Sequence, residues 1–310
     1  MRILVTGGAG YLGSVLVPGL LELGHEVTVL DNFMYRQSSL NNVCWHPKFF
    51  VEKGDIRIKD TVKRLMATVD VVIPLAALVG APLCNNDPVG ARSINRDAIL
   101  MMLDLLAEDQ IVLMPTTNSA YGSGEDDNFC NEESPLRPIS QYAREKVEIE
   151  TCLLQHSNSV SLRLATVFGM SPRMRIDLLV NDFVYRAVHD NCVVLFEGGF
   201  RRNYIHVRDV RNIFIHTLKN LDAMKGEIFN VGLSEANISK RDLCARIRSQ
   251  LPEFCFVDAP IGKDPDQRNY VVSNAKIEAT GFSPEVSLDS GICELIKGFT
   301  MIKENQYGNV

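Results

Sequence analysis

The chain has little of what marks several classes of protein. Of its 310 residues only 23% are charged, and 32 Lys and Arg against 38 Asp and Glu leave a net charge of −6. Proteins that bind nucleic acid or membrane surfaces are usually basic, so we expect neither as a partner. The longest apolar stretch, VDVVIPLAALVGAPL, is shorter than a membrane span and contains Pro and Gly. Because Gly7 and Gly8 interrupt the apolar start, we also expect no signal peptide.

The cysteines suggest neither a metal site nor a disulfide framework. The 8 cysteines are spread along the chain, no two form a CxxC pair, and none stands near a histidine at zinc-ligand spacing. A chain of this size builds its own hydrophobic core without cross-links. We therefore predict reduced thiols, no bound metal and a cytoplasmic location.

The chain does contain a regular alternation of short β-branched runs and longer helical patterns. Runs such as VDVVIPL and IVLM are continuously apolar, which is typical of parallel strands buried on both faces. The pattern predicts an α/β fold with a Rossmann-like, doubly wound parallel sheet. We place strands at 3–6, 27–31, 49–52, 71–74, 111–115 and 160–164, and helices at 11–23, 58–66, 89–107, 141–156, 240–250 and 289–303.

The alternation stops after Phe168, where loops rich in Gly and Pro begin. At about 150 residues per domain, the length suggests two domains. We predict a Rossmann domain at 1–166, to which 204–231 return, and a smaller C-terminal lobe made of 167–203 and 232–310. Such a lobe would cover the edge of the sheet at which open α/β proteins bind their ligands.

A glycine-rich turn directly follows the first predicted strand. In TGGAGYLG, Gly8, Gly10 and Gly13 satisfy GxGxxG, and Gly7, Gly10 and Gly13 satisfy GxxGxxG. Glycine permits a tight turn and a close approach of the backbone to a pyrophosphate, which the next helix binds at its N-terminus. The pattern alone also fits an ordinary turn. Its position between a strand and an apolar helix favours a dinucleotide site.

Two acidic residues follow the second and third strands. Asp31 would accept hydrogen bonds from an adenosine ribose and repel a 2′-phosphate, which favours NAD over NADP. The alternative for Asp31 is a turn or cap before Asn32. Asp55, in GDI, would either receive the adenine amino group or cap the next helix, and the sequence leaves both open.

Three residues form a candidate catalytic set. Tyr142 is followed by Lys146 in YAREK, and residues four apart share one face of a helix. A phenol has a pKa of about 10, which a nearby Lys cation and an oxidised nicotinamide ring would lower into the range of a catalytic base. Thr117 ends a strand in PTTNSAYG, where its hydroxyl can bond the same substrate oxygen. The Tyr and Lys alone would also fit an amphipathic helix with a core Tyr and an exposed Lys.

Together these motifs resemble the extended short-chain dehydrogenases/reductases of the NAD-dependent sugar-nucleotide epimerase/dehydratase family, over nearly the whole chain. The matching segments are TGGAGYLG, LDN, GDI, PLAALVG, INRD, TTNSAYG, YAREK, RLATVFG and RRNYIHVRDV. The resemblance implies Thr117, Tyr142 and Lys146 as catalytic residues, a C-terminal lobe that binds a nucleoside-diphosphate sugar, and a homodimer formed through 89–107 and 141–156. It implies NAD contacts from Gly7, Gly10, Tyr11, Leu12, Gly13, Asp31, Asn32, Asp55, Ile56, Leu75, Ala76, Ala77, Tyr142 and Lys146.

The resemblance also limits the reaction, because the family begins by oxidising the sugar at C4. Dehydratases and decarboxylases carry a carboxylate where this chain has Asn118 and Ser119, so dehydration is disfavoured. A dehydrogenase that releases a 4-keto sugar and a 4-epimerase like UDP-glucose 4-epimerase remain. Several segments most resemble the GDP-D-glycero-D-manno-heptose dehydrogenases of capsular heptose biosynthesis, which favours the dehydrogenase and a GDP-sugar. An NAD-binding regulator without turnover is a third alternative.

The substrate side has several candidate residues. Arg202, in RRNYIHV, matches the position at which the family contacts the diphosphate, and a diphosphate requires cations and N–H donors. Arg268 and Asn181 are further candidates for the same role. Arg175 could reach the phosphate or the extra heptose carbon. Asn118 and Thr166 complete the predicted set, although many relatives have Asn at the position of Thr166.

Overall fold

The structure is a computed structural model that describes residues 1–79, 81–122, 129–259, 262 and 268–302, without the side chains of 81, 82 and 85. The last residue of the PLAALVG motif, the end of the predicted helix at 289–303 and residues 303–310 of the predicted lobe lie outside the described residues.

Fifteen strands are described, and seven of them form the main sheet. The strands are β1 Arg2–Thr6, β2 Glu26–Asp31, β3 Phe49–Lys53, β4 Val71–Pro74, β5 Ile111–Thr117, β6 Phe129–Cys130, β7 Ser159–Leu164, β8 Thr166–Phe168, β9 Cys192–Leu195, β10 Arg201–Arg202, β11 Tyr204–His206, β12 Glu227–Val231, β13 Ile238–Ser239, β14 Cys255–Asp258 and β15 Val271–Val272. The sheet has the order β3-β2-β1-β4-β5-β7-β12, and all of its pairs are parallel.

The helices cover both faces of this sheet. They are α1 Gly13–Glu22, α2 Lys59–Met66, α3 Ala81–Asn86, α4 Pro88–Arg92, α5 Ala98–Asp104, α6 Gln141–Leu153, α7 Leu179–His189, α8 Val207–Lys219, α9 Leu221–Met224, α10 Lys240–Gln250, α11 Ala275–Glu278 and α12 Leu288–Met301. One core joins α1 and α8 to the sheet, and a second joins α2, α5 and α6 to its other face. This arrangement confirms the predicted α/β fold with a doubly wound parallel sheet.

The sheet reverses its winding between β1 and β4, and this reversal positions the site. β1 pairs with β2 on one side and with β4 on the other, so the chain segments that leave β1 and β4 diverge at the carboxyl edge. β4 is wholly buried, as is β7, because helices cover both faces. A crevice therefore opens above β1, β2 and β4.

A third hydrophobic core lies mainly in the C-terminal part of the chain and also includes Tyr11 of the glycine-rich turn. Most of its members come from α7, α10, α12 and β9, together with residues such as Phe254. Short two-stranded pairs complete this part of the chain: β8 with β11, β9 with β14, β10 with β13 and β6 with β15. Strand β12 returns to the main sheet beside β7.

The long helix predicted at 89–107 is divided in the structure. It ends at Asp104, and residues Ser93–Asp97 form a wider π turn between α4 and α5. The buried Asn95 in this turn accepts a hydrogen bond from the Leu78 N–H at 2.8 Å and donates to the Leu78 carbonyl at 2.9 Å. The wider turn therefore allows Asn95 to hold the loop that follows β4, which periodicity alone could not predict.

Candidate cofactor and active site

The glycine-rich turn lies against the loop that follows β4. Gly7 has φ +67°, and a Cβ added there would lie 2.5 Å from the Ala76 backbone nitrogen. A Cβ on Gly13 would lie 2.5 Å from the Gly8 Cα, whereas a Cβ on Gly10 meets only the Gly7 oxygen at 3.0 Å. No side chain of the described residues caps the N-terminus of α1, which begins at Gly13 rather than Tyr11. The N-terminus of α1, where the helix dipole is positive, therefore lies at the glycine-rich turn.

Asp31 ends β2 at the rim of the same crevice. One carboxylate oxygen accepts the Ala9 N–H at 3.0 Å, and the other accepts the Phe33 N–H at 2.8 Å. Burial nevertheless raises the pKa of Asp31, and these hydrogen bonds oppose that rise. Both oxygens keep lone pairs for the hydroxyls of a ribose. The carboxylate thus performs the turn role that we considered as its alternative and still borders the cleft.

Nine of the fourteen predicted cofactor residues line one cleft, and Tyr11, Leu12, Gly13, Tyr142 and Lys146 are not among its lining residues. It is lined by Gly7, Gly10, Asp31, Asn32, Asp55, Ile56, Leu75, Ala76 and Ala77 from the predicted set, together with residues such as Tyr35, Arg36 and Arg173. The cradle that a Cβ on Gly7 or Gly13 would fill and the carboxylate at the end of β2 are suited to the adenosine and pyrophosphate of NAD. The residues present therefore fit this cofactor.

Asp55 is held by an arginine. Its carboxylate accepts hydrogen bonds from the Arg57 backbone at 2.9 Å and from the Arg57 guanidinium at 2.5 Å. The hydrogen bonds from Arg57 hold the pKa of Asp55 below its ordinary value. Helix α2 begins at Lys59 after Ile58, so Asp55 does not cap it. Its oxygens border the cleft, and the predicted adenine contact remains a prediction.

Tyr11 connects the glycine turn to the C-terminal part of the chain. Its hydroxyl donates to the Gly169 carbonyl at 2.7 Å and accepts from the Asn181 amide at 3.3 Å. Only 6% of the residue is exposed. Because the phenol is used inside the protein, Tyr11 could contact a dinucleotide only through its backbone. Leu12 is half-buried and packs against the hydrophobic cores.

The three predicted catalytic residues lie at one place on the sheet. Thr117 is the last residue of β5, and its hydroxyl accepts the Ser119 N–H at 3.1 Å and donates to the Ser119 hydroxyl at 3.0 Å. Tyr142 and Lys146 are on α6, which packs against β5 and against the 118–121 turn. The Lys146 ammonium is 5.9 Å from the centre of the Tyr142 ring and donates to the Pro115 carbonyl at 3.2 Å.

Burial controls the acidity of these groups in the protein without its cofactor. Burial raises the pKa of Tyr142 to about 12, and the more distant charges of Arg175 and Arg268 lower it only in part. Burial also lowers the pKa of Lys146 to about 8. We predicted that Lys146 and an oxidised nicotinamide ring together lower the pKa of the phenol, and this stays a prediction, because without the ring burial has the larger effect on both groups. The reason is geometric, because the ammonium is directed to the Pro115 carbonyl and desolvation dominates.

A buried ion pair behind these residues was missed by the sequence reasoning. Glu150, one turn after Lys146, accepts hydrogen bonds from Arg163 of β7 at 2.5 Å and from the hydroxyls of Ser161 at 2.6 Å and Thr116 at 3.1 Å. Arg163 also donates to the Tyr121 hydroxyl at 2.9 Å. The network therefore links α6 to Thr116, just before the 118–121 turn, and to Tyr121 at the end of that turn. An arginine inside the apolar strand SVSLRL is the signal that could have revealed it.

Two arginines of the predicted substrate set act electrostatically on Tyr142, the predicted catalytic base. The Arg268 guanidinium hydrogen-bonds the Ser119 hydroxyl, which in turn contacts Thr117. Arg175 forms an ion pair with Asp177, with Nε to Oδ1 at 3.2 Å. The charges of both arginines act on the Tyr142 phenol. Arg268 therefore lies beside the turn that follows Thr117, whereas the sequence analysis assigned it to the diphosphate.

The other predicted substrate residues are dispersed. Asn181 is fully buried and binds the Gly169 N–H at 3.0 Å and the Arg175 carbonyl at 2.8 Å, so its amide supports the 169–175 loop instead of facing a ligand. Arg202 is buried on β10, with 2% exposed. Asn118 is buried, and within the described part of the chain neither its amide nitrogen nor its oxygen has a hydrogen-bond partner. The half-buried Thr166 likewise has no partner for its hydroxyl among the described residues.

The described ranges contain neither a metal site nor a membrane span. No three His, Cys, Asp or Glu side chains of the described residues are grouped as ligands. None of the helices in the described ranges combines the length and the apolar character needed to cross a bilayer.

Comparison with known proteins gives the family. The model of the NAD dependent epimerase/dehydratase family matches residues 3–232. The chain belongs to this family. Of the curated members, the low-salt glycan biosynthesis protein Agl12 of Haloferax volcanii is 28% identical over 94% of this chain and 96% of its own. UDP-glucuronic acid decarboxylase 1 of Danio rerio is 27% identical over 99% of this chain and 75% of its own.

A solved structure of the family agrees in both fold and sequence. The UDP-glucose 4-epimerase of Thermus thermophilus, in complex with NAD, is 27% identical with a TM-score of 0.82, covering 97% of this chain and 99% of that one. This protein is therefore an enzyme of the epimerase/dehydratase family, and NAD is its cofactor. The specific likeness to GDP-heptose dehydrogenases does not emerge from these comparisons, which contain UDP-sugar enzymes and Agl12.

Proposed function

We propose that this enzyme oxidises the C4 hydroxyl of a nucleoside-diphosphate sugar to a ketone. The observation that carries the proposal is the placement of Thr117, Tyr142 and Lys146 at the carboxyl end of β5 and on the α6 helix that packs on it. A protein that only sensed NAD would not need a phenol beside a buried ammonium. Thr117 and Tyr142 supply the two groups that such an oxidation requires, a hydroxyl to orient the substrate and a base to receive its proton.

The chain's own residues account for the proton. When bound, NAD+ supplies a hydride acceptor and a positively charged ring. Thr117 orients the C4 hydroxyl, Tyr142 receives its proton, and the C4 hydrogen leaves as hydride, so that the alcohol becomes a ketone. Because burial raises the pKa of Tyr142 to about 12, the phenolate needs the positive charges of its surroundings. Lys146, anchored on the Pro115 carbonyl, keeps one of these charges next to the ring.

We further propose a 4-keto product from a GDP-linked heptose. Asn118 and Ser119 provide an amide and an alcohol where elimination or decarboxylation would require a carboxylate. The charge of Arg175 acts on Tyr142, and Arg175 forms an ion pair with Asp177. The pair offers both hydrogen-bond donors and acceptors and carries no net charge. Such a pair suits the hydroxyls of a longer neutral sugar better than it suits a carboxylate, which would compete with Asp177 for the guanidinium. The base and the sugar otherwise rest on the sequence resemblance.

A UDP-sugar 4-epimerase is the second candidate. It is favoured by the Thermus thermophilus UDP-glucose 4-epimerase, with which the chain shares 27% identity over nearly the full length of both. The two reactions begin alike and differ in whether the hydride returns to the other face of C4.

The purified enzyme should be incubated with NAD+ and a panel of GDP-, UDP-, CDP- and dTDP-sugars that includes GDP-D-glycero-D-manno-heptose. We expect reduced cofactor and a product lighter by two hydrogens from the GDP-heptose. A product of unchanged mass with inverted C4, found by NMR, would establish the epimerase instead. Turnover of the UDP-sugars alone would overturn the GDP-heptose assignment.

We also propose a homodimer that forms through the helices at 88–104 and 141–153. Arg96 of the π turn joins the two by an ion pair with Glu148 of α6, so they form one continuous surface. Light scattering at micromolar concentration should give twice the monomer mass of 34.6 kDa. A monomer at all concentrations would remove this proposal.

A further inference from the structure

Two cysteines lie opposite each other on neighbouring strands of the smaller lobe. Strands β9 and β14 are parallel, and in their register the Cα of Cys192 is the partner of the Cα of Cys255. Two residues further on, Val194 is the partner of Val257. Adjacent strands are about 4.8 Å apart, which lies inside the range of about 4.4–6.8 Å over which disulfides join Cα atoms. The backbone therefore already holds the two residues at bridging distance.

Both thiols are on the outer face of this pair of strands. Val193 and Leu195 are buried in the lobe's core, so the alternation of a strand turns Cys192 and Val194 outward. Cys192 is half-buried and Cys255 is exposed. Contact with the Cys255 thiol, together with partial desolvation, raises the pKa of Cys192. The sulfur atoms are therefore close to each other and open to a reagent in solution.

We propose that Cys192 and Cys255 form a reversible dithiol–disulfide site, for which the oxidant is a low-molecular-weight disulfide such as oxidised glutathione. The thiolate of Cys255 attacks the small disulfide, forming a mixed disulfide and releasing one thiol. The Cys192 thiolate then attacks the mixed disulfide and releases the second thiol. In total, two protein thiols and one small disulfide give one protein disulfide and two small thiols. The spacing of the cysteines along the chain, from which we predicted reduced thiols, does not show that the register of β9 and β14 pairs these two.

The bridge would strengthen a weakly held strand. Among the described strands β14 pairs only with β9, and three of its four residues are exposed. Short strands with exposed hydrogen bonds open locally more often than core strands do. A covalent link at the first residue of each strand keeps β14 on β9 during such openings. The catalytic residues are on other elements, so we expect oxidation to leave turnover nearly unchanged.

The test is a titration of the full-length enzyme with mixtures of reduced and oxidised glutathione. We expect the wild type to lose two titratable thiols and two hydrogens of mass, with Cys192 and Cys255 joined in one peptide pair after proteolysis. The amides of β14 should then exchange more slowly with deuterium. Cys192→Ser and Cys255→Ser should each give at most a glutathione adduct on the remaining thiol, and reducing agent should reverse every change.

Matched controls use two exposed cysteines on other elements. Cys44→Ser and Cys293→Ser should form the Cys192–Cys255 bridge as the wild type does. A trivalent arsenical such as phenylarsine oxide, which binds paired thiols, should bind the wild type and these controls and be lost from Cys192→Ser. Glutathione adducts without a Cys192–Cys255 link, or arsenical binding unaffected by Cys192→Ser, would overturn the proposal.

Discussion

The cofactor cleft, called the cofactor side below, and the proposed sugar site around Arg175 and Arg268, called the sugar side, are built differently. On the cofactor side, backbone groups form the site: Gly7 and Gly13 leave no room for a Cβ, and Asp31 is held by main-chain N–H groups. On the sugar side, long charged side chains do so, with Arg268 on Ser119 and Arg175 on Asp177. A site made of backbone tolerates no added atoms, whereas a site made of side chains can change its ligand by substitution.

The two regions should therefore respond differently to substitution. The cofactor cleft is formed at strand ends that the sheet itself positions, so a substitution there also disturbs the sheet. The sugar side depends on loops after β8 and after β14, which can carry different charges without disturbing the sheet. The following predictions test whether the two sides can be separated, and the largest effect comes first.

Replacing Tyr142 by Phe should separate chemistry from binding. Without the phenol oxygen no group receives the C4 proton, and general-base catalysis contributes about 10²–10⁴-fold. We expect turnover to fall by that factor while the affinities for NAD+ and for the sugar nucleotide, measured by calorimetry, change less than about threefold. Tyr185→Phe, on α7, is the matched control and should keep full turnover. Undiminished turnover in Tyr142→Phe would remove this residue from the mechanism.

Replacing Lys146 by Met should lower the turnover and raise the free energy of unfolding. Burial lowers the pKa of Lys146 from 10.5 to about 8, so below pH 8 the folded protein carries a cost of about 3 kcal/mol that is relieved as pH rises toward 10.5. The variant should therefore be more stable than the wild type at pH 7, by up to about 3 kcal/mol, and the gap should narrow by pH 10.

Denaturant unfolding between pH 7 and pH 10 measures this gap, in a range where the Tyr142 phenol stays protonated in the folded protein. The exposed Lys63→Met on α2 is the control and should show no such narrowing. A Lys146→Met variant that is less stable than the wild type at pH 7 would mean that the bond to Pro115 outweighs the desolvation of the ammonium.

The sequence predicted the cofactor side better than the sugar side, and the reason is physical. Carboxyl ends of parallel strands meet at one edge, so residues placed after strands, such as Asp31 and Asp55, necessarily line one cleft. Asn181 was a candidate for the diphosphate from its place at the start of a helix, but the fold brings Tyr11 and Gly169 to its amide. No local pattern encodes contacts between residues more than 150 positions apart, such as that between Tyr11 and Asn181.

The same limit applies to the groups behind the catalytic turn. Glu150 lies on the predicted helix and Arg163 in the predicted strand, but only the packing of α6 on β7 shows that they form a pair. The pKa of Tyr142 is a second example. Spacing places a Lys one turn away, whereas burial, which spacing does not reveal, sets the direction of the shift.

Adding a methyl group to the glycine-rich turn should lower the affinity for NAD+ and leave the affinity for the sugar nucleotide unchanged. In Gly13→Ala the new Cβ would lie 2.5 Å from the Gly8 backbone, which cannot move as a flexible side chain can. Overpacking of this kind costs about 1–3 kcal/mol, so we expect NAD+ affinity to fall by about 10- to 100-fold. Gly10→Ala, whose Cβ meets one oxygen at 3.0 Å, should lose less. Equal losses in both variants, measured by calorimetry, would contradict the close-contact explanation.

The smallest expected effect is on the choice between the two dinucleotides. Asp31, which we predict to bind the adenosine ribose, borders the cleft with both oxygens held by the Ala9 and Phe33 N–H groups. Replacing it by Asn keeps an acceptor and removes the charge that would repel a 2′-phosphate, while Arg36 and Arg173 on the same cleft would attract that phosphate. We expect the preference for NAD+ over NADP+ to narrow by about tenfold, which corresponds to about 1.4 kcal/mol. Calorimetric titration with both dinucleotides checks this, and Asp55→Asn is the control because Arg57 already neutralises that carboxylate. If Asp55→Asn changed the preference more than Asp31→Asn, the ribose contact would belong to the third strand rather than the second.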